Sequence, residues 1–272
     1  MITSSTDVLN LGIDSSKKNL IITKDSQSAL QVYDFLKESS NTLLLENSEL
    51  LPYDFFSMAP ITRANRISVL SKFLRDKEVN LIASIATLLS PLPSPSHVLP
   101  LNKLSVGEYF SIENILNQII EIGYVREDFV SLPGQFALRG SIMDIFLTSG
   151  KEPIRIEFFD SKIESLRTFN PESQISNEKI EDIDFLPSFE YSLNKYSVDV
   201  FKKQWRKVFD VYEEDSEVFT KVMKLKHAEG VEIYAPLFEG EKITFLSYMH
   251  NIEEIYLQNK TNEKAGEFEN LI

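Results

Sequence analysis

Apolar positions recur along this chain with two different periods, and the change of period divides it. Over the first hundred residues, short apolar runs alternate with helical patterns. NLIIT at 19–23 predicts a short buried strand, and SQSALQVYDFLKE at 26–38 predicts a helix with Ala29, Val32, Tyr33, Phe35 and Leu36 on its apolar side. TLLL at 42–45 predicts a strand, 61–73 a helix, and VNLIAS at 79–84 another strand. Strands alternating with helices imply a parallel α/β layer. PLPSPSHVLP at 91–100 interrupts this, because four prolines in ten residues can continue neither a helix nor a central strand. A domain boundary is expected just after it. SIENILNQIIEI at 111–122 predicts an amphipathic helix, with Ser111 as N-cap and Asn114 where a capping box would hold Glu or Gln. From 124 to 169 the period shortens to that of antiparallel strands. Helix returns around 198–209 (VDVFKKQWRKVF), and a polar tail at 259–270 is expected to fray.

The second period carries the most information. In IRIEFF, Ile154, Ile156 and Phe158 fall on one face and Arg155, Glu157 and Phe159 on the other. With Asp160 and Ser161 as a two-residue turn, 162–169 returns beside it. Phe159 then faces Lys162, Glu157 faces Glu164, and Arg155 faces Leu166. The first face is core. The second holds Arg155, Phe159 and Leu166 in one patch. Pattern alone leaves two readings for Phe159: a ring covered by another part of its own domain, or an interface hot spot beside an arginine.

Composition narrows the function classes. The chain has 272 residues, 43% hydrophobic and 25% charged, which suits a soluble protein of two or three domains. No apolar run nears the roughly 18 residues of a membrane span, and the first residues, MITSSTDVLNLG, lack the pattern of a secretory signal. There are no cysteines, so disulfides, thiolate metal sites and cysteine nucleophiles are excluded, consistent with a cytoplasmic location. A net charge of −13 repels phosphate and favours a protein partner over nucleic acid.

The segment GYVREDFVSLPGQFALRGSIMDIF, followed by PIRIEFFDSKIESLRTFNPESQ, closely resembles the UvrB-like interaction domain. That domain is shared by the excision-repair protein UvrB and the transcription-repair coupling factor family. The flanks are similar to the latter: LPYDFFSMAP with Arg66, FKKQWRKVF, and AEGVEIYAPLF occur in that family's order. The resemblance spans about 19–248. It implies a fold of the α/β class: a degenerate nucleotide-binding-like lobe at 1–100, an inserted small α+β domain with an antiparallel sheet at 101–186, and a segment at 187–272 that packs back on the first lobe. It implies a non-catalytic module that recruits UvrA in transcription-coupled nucleotide excision repair. Motif by motif, it places UvrA contacts at Arg139, Arg155 and Phe159. RNA polymerase, DNA and the ATP-driven motor belong to regions of the full-length family member that this chain lacks, and a domain that masks the UvrA-binding face there is missing too. No cofactor, metal or membrane contact is implied.

The rival reading is a degenerate ATPase-like domain with residual nucleotide or DNA binding. Read against the phosphate-loop pattern, GIDSSKKN at 12–19 has Lys17 for the second glycine, Lys18 for the lysine and Asn19 for the metal-binding hydroxyl. It also stands before the first strong strand pattern rather than after one. No second motor domain or acidic motor motif follows, and the 25 or so residues between LPYD and the strand at 79 cannot hold a DNA-gripping hairpin. His97, His227 and His250 have no metal-like spacing and read as incidental. Asp144, Glu157, Asp160 and Glu164 read as edge and turn charges of a sheet. The acidic run 212–215 reads as a solvated face, and Trp205 as a helix anchor.

Overall fold

A computed structural model describes residues 2–5, 12–50, 56–209, 216–240 and 243–269. The LPYD motif and the acidic run at 212–215 lie outside them. In chain order the elements are β1 (Ile2–Ser5), β2 (Lys18–Thr23), α1 (Ser26–Leu36), β3 (Thr42–Leu45), α2 (Pro60–Arg75), β4 (Val79–Ser84) and α3 (Ile85–Leu89). There follow β5 (Lys103–Ser105), α4 (Ile112–Glu121), β6 (Val125–Arg126), β7 (Gln135–Arg139), β8 (Ile142–Ile145), β9 (Ile154–Phe159), β10 (Lys162–Phe169), β11 (Ser176–Ile180) and β12 (Asp182–Asp184). The remainder is α5 (Lys195–Val208), α6 (Glu217–Met223), α7 (Pro236–Glu239), β13 (Glu254–Gln258) and α8 (Thr261–Glu269). The tail expected to fray thus forms a helix, tied at its start by the Thr261 hydroxyl, which donates to the Gln258 carbonyl at 2.5 Å. None of the described helices is long and apolar enough to cross a membrane.

The mixed α/β class expected from the sequence is what forms. The residues divide into two units: 1–58, 69–95 and 229–272 in one, 59–68 and 96–228 in the other. The first unit is built on a five-stranded sheet in the order β1-β13-β2-β4-β3, with every pairing parallel. Ile21, Ile82 and Tyr256 pack against Ala29, Val32 and Leu36 of α1. That helix starts where it does because the Asp25 carboxylate accepts the Ser28 amide at 2.7 Å.

The second unit is built on a six-stranded sheet in the order β11-β10-β9-β8-β7-β6, antiparallel except for β6 against β7. One face packs on α4. Phe136, Met143, Ile145, Ile154, Ile156, Phe158 and Leu166 meet Ile115 and Ile119 there in a continuous apolar cluster. As the pattern predicts, Ser111 caps α4, its hydroxyl accepting the Asn114 amide at 3.1 Å. Trp205 is a core anchor as expected, buried among Phe201, Phe209 and Phe219 with ring centroids 4.4–5.5 Å away. His227 is no incidental histidine. It stacks on Phe189 at 3.7 Å, and its Nδ1 is 2.6 Å from the Tyr191 hydroxyl. Burial, with a smaller push from Arg63, lowers its pKa to about 4.

One expectation about the segment at 12–19 needs amending. A strand, β1, does precede it, but the loop leads into β2 rather than into the helix N-terminus that a phosphate site requires. Lys18, at the position of the phosphate-binding lysine, is buried with its ammonium donating to the Phe73 carbonyl and lying 4.5 Å from the Phe73 ring centroid. Lys17 pairs instead with Glu254 at 2.6 Å and Asp14 at 3.2 Å.

Candidate protein-interaction site

The antiparallel sheet has a second face, and the tight turns between its strands set what stands on it. Gly140, with φ of 61°, turns β7 into β8 where a side chain would be strained, and Asp160, with φ of 53°, turns β9 into β10. Across the sheet, Arg139 pairs with Ile142, and Ile142 with Glu157. One row along, Ala137 pairs with Asp144, Asp144 with Arg155, and Arg155 with Arg167. Paired residues share a face, and so do residues two apart on one strand. Arg139, Arg155 and Phe159 therefore stand on the same side of the sheet, opposite the α4 core.

The return strand departs from the simple hairpin expected. A bulge between Ile163 and Ser165 shifts the register by one residue. Phe159 does face Lys162, but Glu157 faces Ser165 rather than Glu164, and Arg155 faces Arg167 rather than Leu166. A one-residue slip exchanges the faces of everything beyond it. Leu166 is consequently opposite Ile156 and buried in the core, so it leaves the presenting patch.

The presenting face is itself divided. At one end Val130, Ala137, Phe146 and Phe169 close into a small buried cluster. At the other, Phe159 is 67% exposed. Phe159 is thus not covered by its own domain; the covered ring on this face is Phe169, at the opposite end. Between them Asp144 holds the two arginines. Its carboxylate takes Arg155 in a two-point contact, Nε at 2.7 Å and Nη2 at 2.9 Å, and Arg139 Nη1 stands 3.4 Å from the same group. Arg155 is the deeper, with 18% of its side chain exposed against 46% for Arg139. Its guanidinium also lies 4.7 Å from the Phe169 ring centroid, and Nη1 donates to the Gln174 carbonyl at 3.3 Å. The hydrogen bonds that Arg155 donates to Asp144 raise the Arg155 pKa further above its already basic value. Arg139 donates to the Asp128 carbonyl and lies 4.9 Å from the ring centroid of exposed Phe129.

Asp144 is the residue that the pattern misassigned. Expected as an edge or turn charge, it lies in an interior strand with its side chain 3% exposed. Its signal was present: in IMDI it shares a face with Ile142 and is placed by alternation opposite an arginine. A buried carboxylate needs that partner, because desolvating an unpaired charge costs several kcal/mol. What the arrangement can do is present an exposed ring on the same face as two guanidiniums held by one carboxylate, with little side-chain entropy left to lose on docking.

Comparisons with known proteins bear on the domain that carries this sheet. The family model of the UvrB interaction domain matches residues 103–191, which include α4 and the whole antiparallel sheet. The chain is 31% identical over 230 residues to the transcription-repair-coupling factor of Escherichia coli, an alignment covering 82% of this chain and 20% of that protein. It is 29% identical over 262 residues to that of Haemophilus influenzae, covering 94% of this chain and 23% of the other. Against the Bacillus subtilis protein it is 31% identical over 185 residues. The chain thus spans about a fifth of the length of these relatives. Residues 103–191 are a UvrB interaction domain, in a chain homologous to part of the transcription-repair coupling factors.

Proposed function

We propose that this chain is a non-catalytic docking module that binds UvrA in transcription-coupled nucleotide excision repair, through Arg139, Arg155 and Phe159. The observation that carries this is the exposed Phe159 ring on a sheet face where a buried carboxylate already holds both arginines. Aromatic and arginine side chains of this kind dominate protein–protein binding energy. The names of the relatives supply the process, and the matching domain supplies the partner class. In this reading residues 101–186 are the binding domain, the first unit is a degenerate nucleotide-binding-like lobe, residues 187–228 belong with the binding domain's unit rather than with that lobe, and the module works in the cytoplasm. RNA polymerase, DNA and ATP-driven movement are assigned to parts of the longer relatives that this chain does not span.

Residual nucleotide or DNA binding by the first unit is the competing reading. It is disfavoured because the lysine that would meet a phosphate is buried against Phe73. A pull-down of UvrA with the wild-type chain and with Arg139→Ala, Arg155→Ala and Phe159→Ala tests the docking reading. Loss of about 2 kcal/mol or more is expected for at least one variant with the fold intact. Wild-type capture by all three would place the UvrA surface elsewhere.

A further inference from the structure

The exposed end of the presenting face does not stop at Phe159. The segment before α4 runs along the first half of β10, on the edge that β11 leaves open. There the Ile163 amide donates to the Glu108 carbonyl at 2.9 Å and the Phe110 amide donates to the Ser161 carbonyl at 2.7 Å. These two bonds flank an antiparallel bridge between Tyr109 and Lys162. A pair flanked in this way is the narrow kind, in which opposed side chains lie closest. Lys162 is in turn paired with Phe159 across the β9–β10 turn. Tyr109, Lys162 and Phe159 therefore form one row on one side of the sheet, with the two rings roughly 10 Å apart across two strand spacings. Phe110 packs into the core below, which fixes Tyr109 outward by alternation. Tyr109 is 75% exposed and Lys162 is exposed as well.

We propose that Tyr109 and Lys162 extend the UvrA-docking face by one strand, and that this row seats an acidic side chain of UvrA on Lys162 between two apolar contacts. The inference rests on the reading of Phe159 as a UvrA contact. Single exposed apolar residues are ordinary, but a contiguous run of large ones marks an interaction surface. Here two rings and a lysine lie in one row on a protein of net charge −13, and the half-exposed Glu157 of the same face has its carboxylate engaged by the Ser165 hydroxyl at 2.6 Å. A lysine between rings on an acidic chain suits a partner carboxylate, and the rings exclude water from the ion pair they flank.

The test is a titration of purified UvrA with the full chain and with Tyr109→Ala, Lys162→Ala, Phe159→Ala and Tyr196→Ala. Tyr196, 79% exposed on α5, is the control for simple loss of a surface ring. Tyr109→Ala is expected to weaken binding at least tenfold and Lys162→Ala to slow association and flatten its salt dependence. Tyr196→Ala should bind as wild type, and all four should keep the wild-type melting temperature. Wild-type affinity for both Tyr109→Ala and Lys162→Ala, with Phe159→Ala still impaired, would overturn the extension and leave the docking face standing. Wild-type affinity for Phe159→Ala as well would overturn the docking face itself. An equal loss in Tyr196→Ala would also overturn the extension, since the effect would not belong to this row.

Discussion

The two sheets of this protein spend their side chains differently. In the parallel sheet all six residues of β4 are buried and five of the six in β2. Both faces are covered, as parallel sheets require. Polar groups there close on one another: the Asn19 amide donates to the Asn80 side-chain carbonyl at 2.8 Å, and the Lys18 ammonium to the Phe73 carbonyl. The antiparallel sheet is covered by helix on one face only. Its strand β9 alternates strictly, with Ile154, Ile156 and Phe158 inward and Arg155, Glu157 and Phe159 on the other side. A sheet buried on both faces can only support, whereas one with a spare face can present. The ionisable groups follow the same division, since burial lowers the Lys18 pKa, while Asp144 holds Arg139 and Arg155 in place on the presenting face.

The contrast can be tested within the second sheet. Phe136→Ala on the core face should cost about 3–5 kcal/mol of unfolding free energy, read by chemical denaturation. Asp144→Ala should cost about 3 kcal/mol, because it leaves the mostly buried Arg155 without its partner. Unlike Phe136→Ala, it should also weaken UvrA binding as much as Arg155→Ala does. If Asp144→Ala binds UvrA normally, preorganised arginines are not what the face offers.

Acid should expose a weaker point of the second unit. The pKa of His227 in the fold, about 4, lies below its ordinary 6.5, so the folded state binds fewer protons than the unfolded state between those values. Stability from this group is complete above pH 6.5 and falls as the pH drops toward 4. The loss is roughly 2 kcal/mol once partial exposure is allowed for. His227→Gln should flatten that limb of a stability–pH curve, and an unchanged limb would assign it to carboxylates instead. The smallest effect is expected in the first unit. ATP with magnesium should leave the melting temperature unmoved, whereas a ligand at a hundred times its dissociation constant would add about 2.7 kcal/mol.

Much of this was legible in the chain. β3 and β4 lie where their apolar runs place them, and α1 begins at the residue its pattern predicts. The core face of β9 follows from alternation alone. Other features were hidden for physical reasons. β13, EIYLQ, is short and half-buried, so it gives little periodic signal, yet it fills the place between β1 and β2. The register slip in β10 did leave a trace. Ile163, Leu166 and Phe169 are spaced by three, which a flat strand cannot keep on one face. The bulge puts Ile163 and Leu166 together in the core, and Phe169 goes to the opposite side beneath Arg155. Tyr109 was invisible to local pattern, because what places it beside Lys162 is a contact between residues 53 positions apart.

The central claim is that Phe159 belongs to the binding face and contributes nothing to the core behind it. One protein, Phe159→Ala, measured for both UvrA affinity and thermal stability, tests it directly. The prediction is a dissociation constant weakened about thirtyfold or more, with an unchanged melting temperature. Wild-type affinity would contradict the account, as would a lowered melting temperature that tracks the loss of binding.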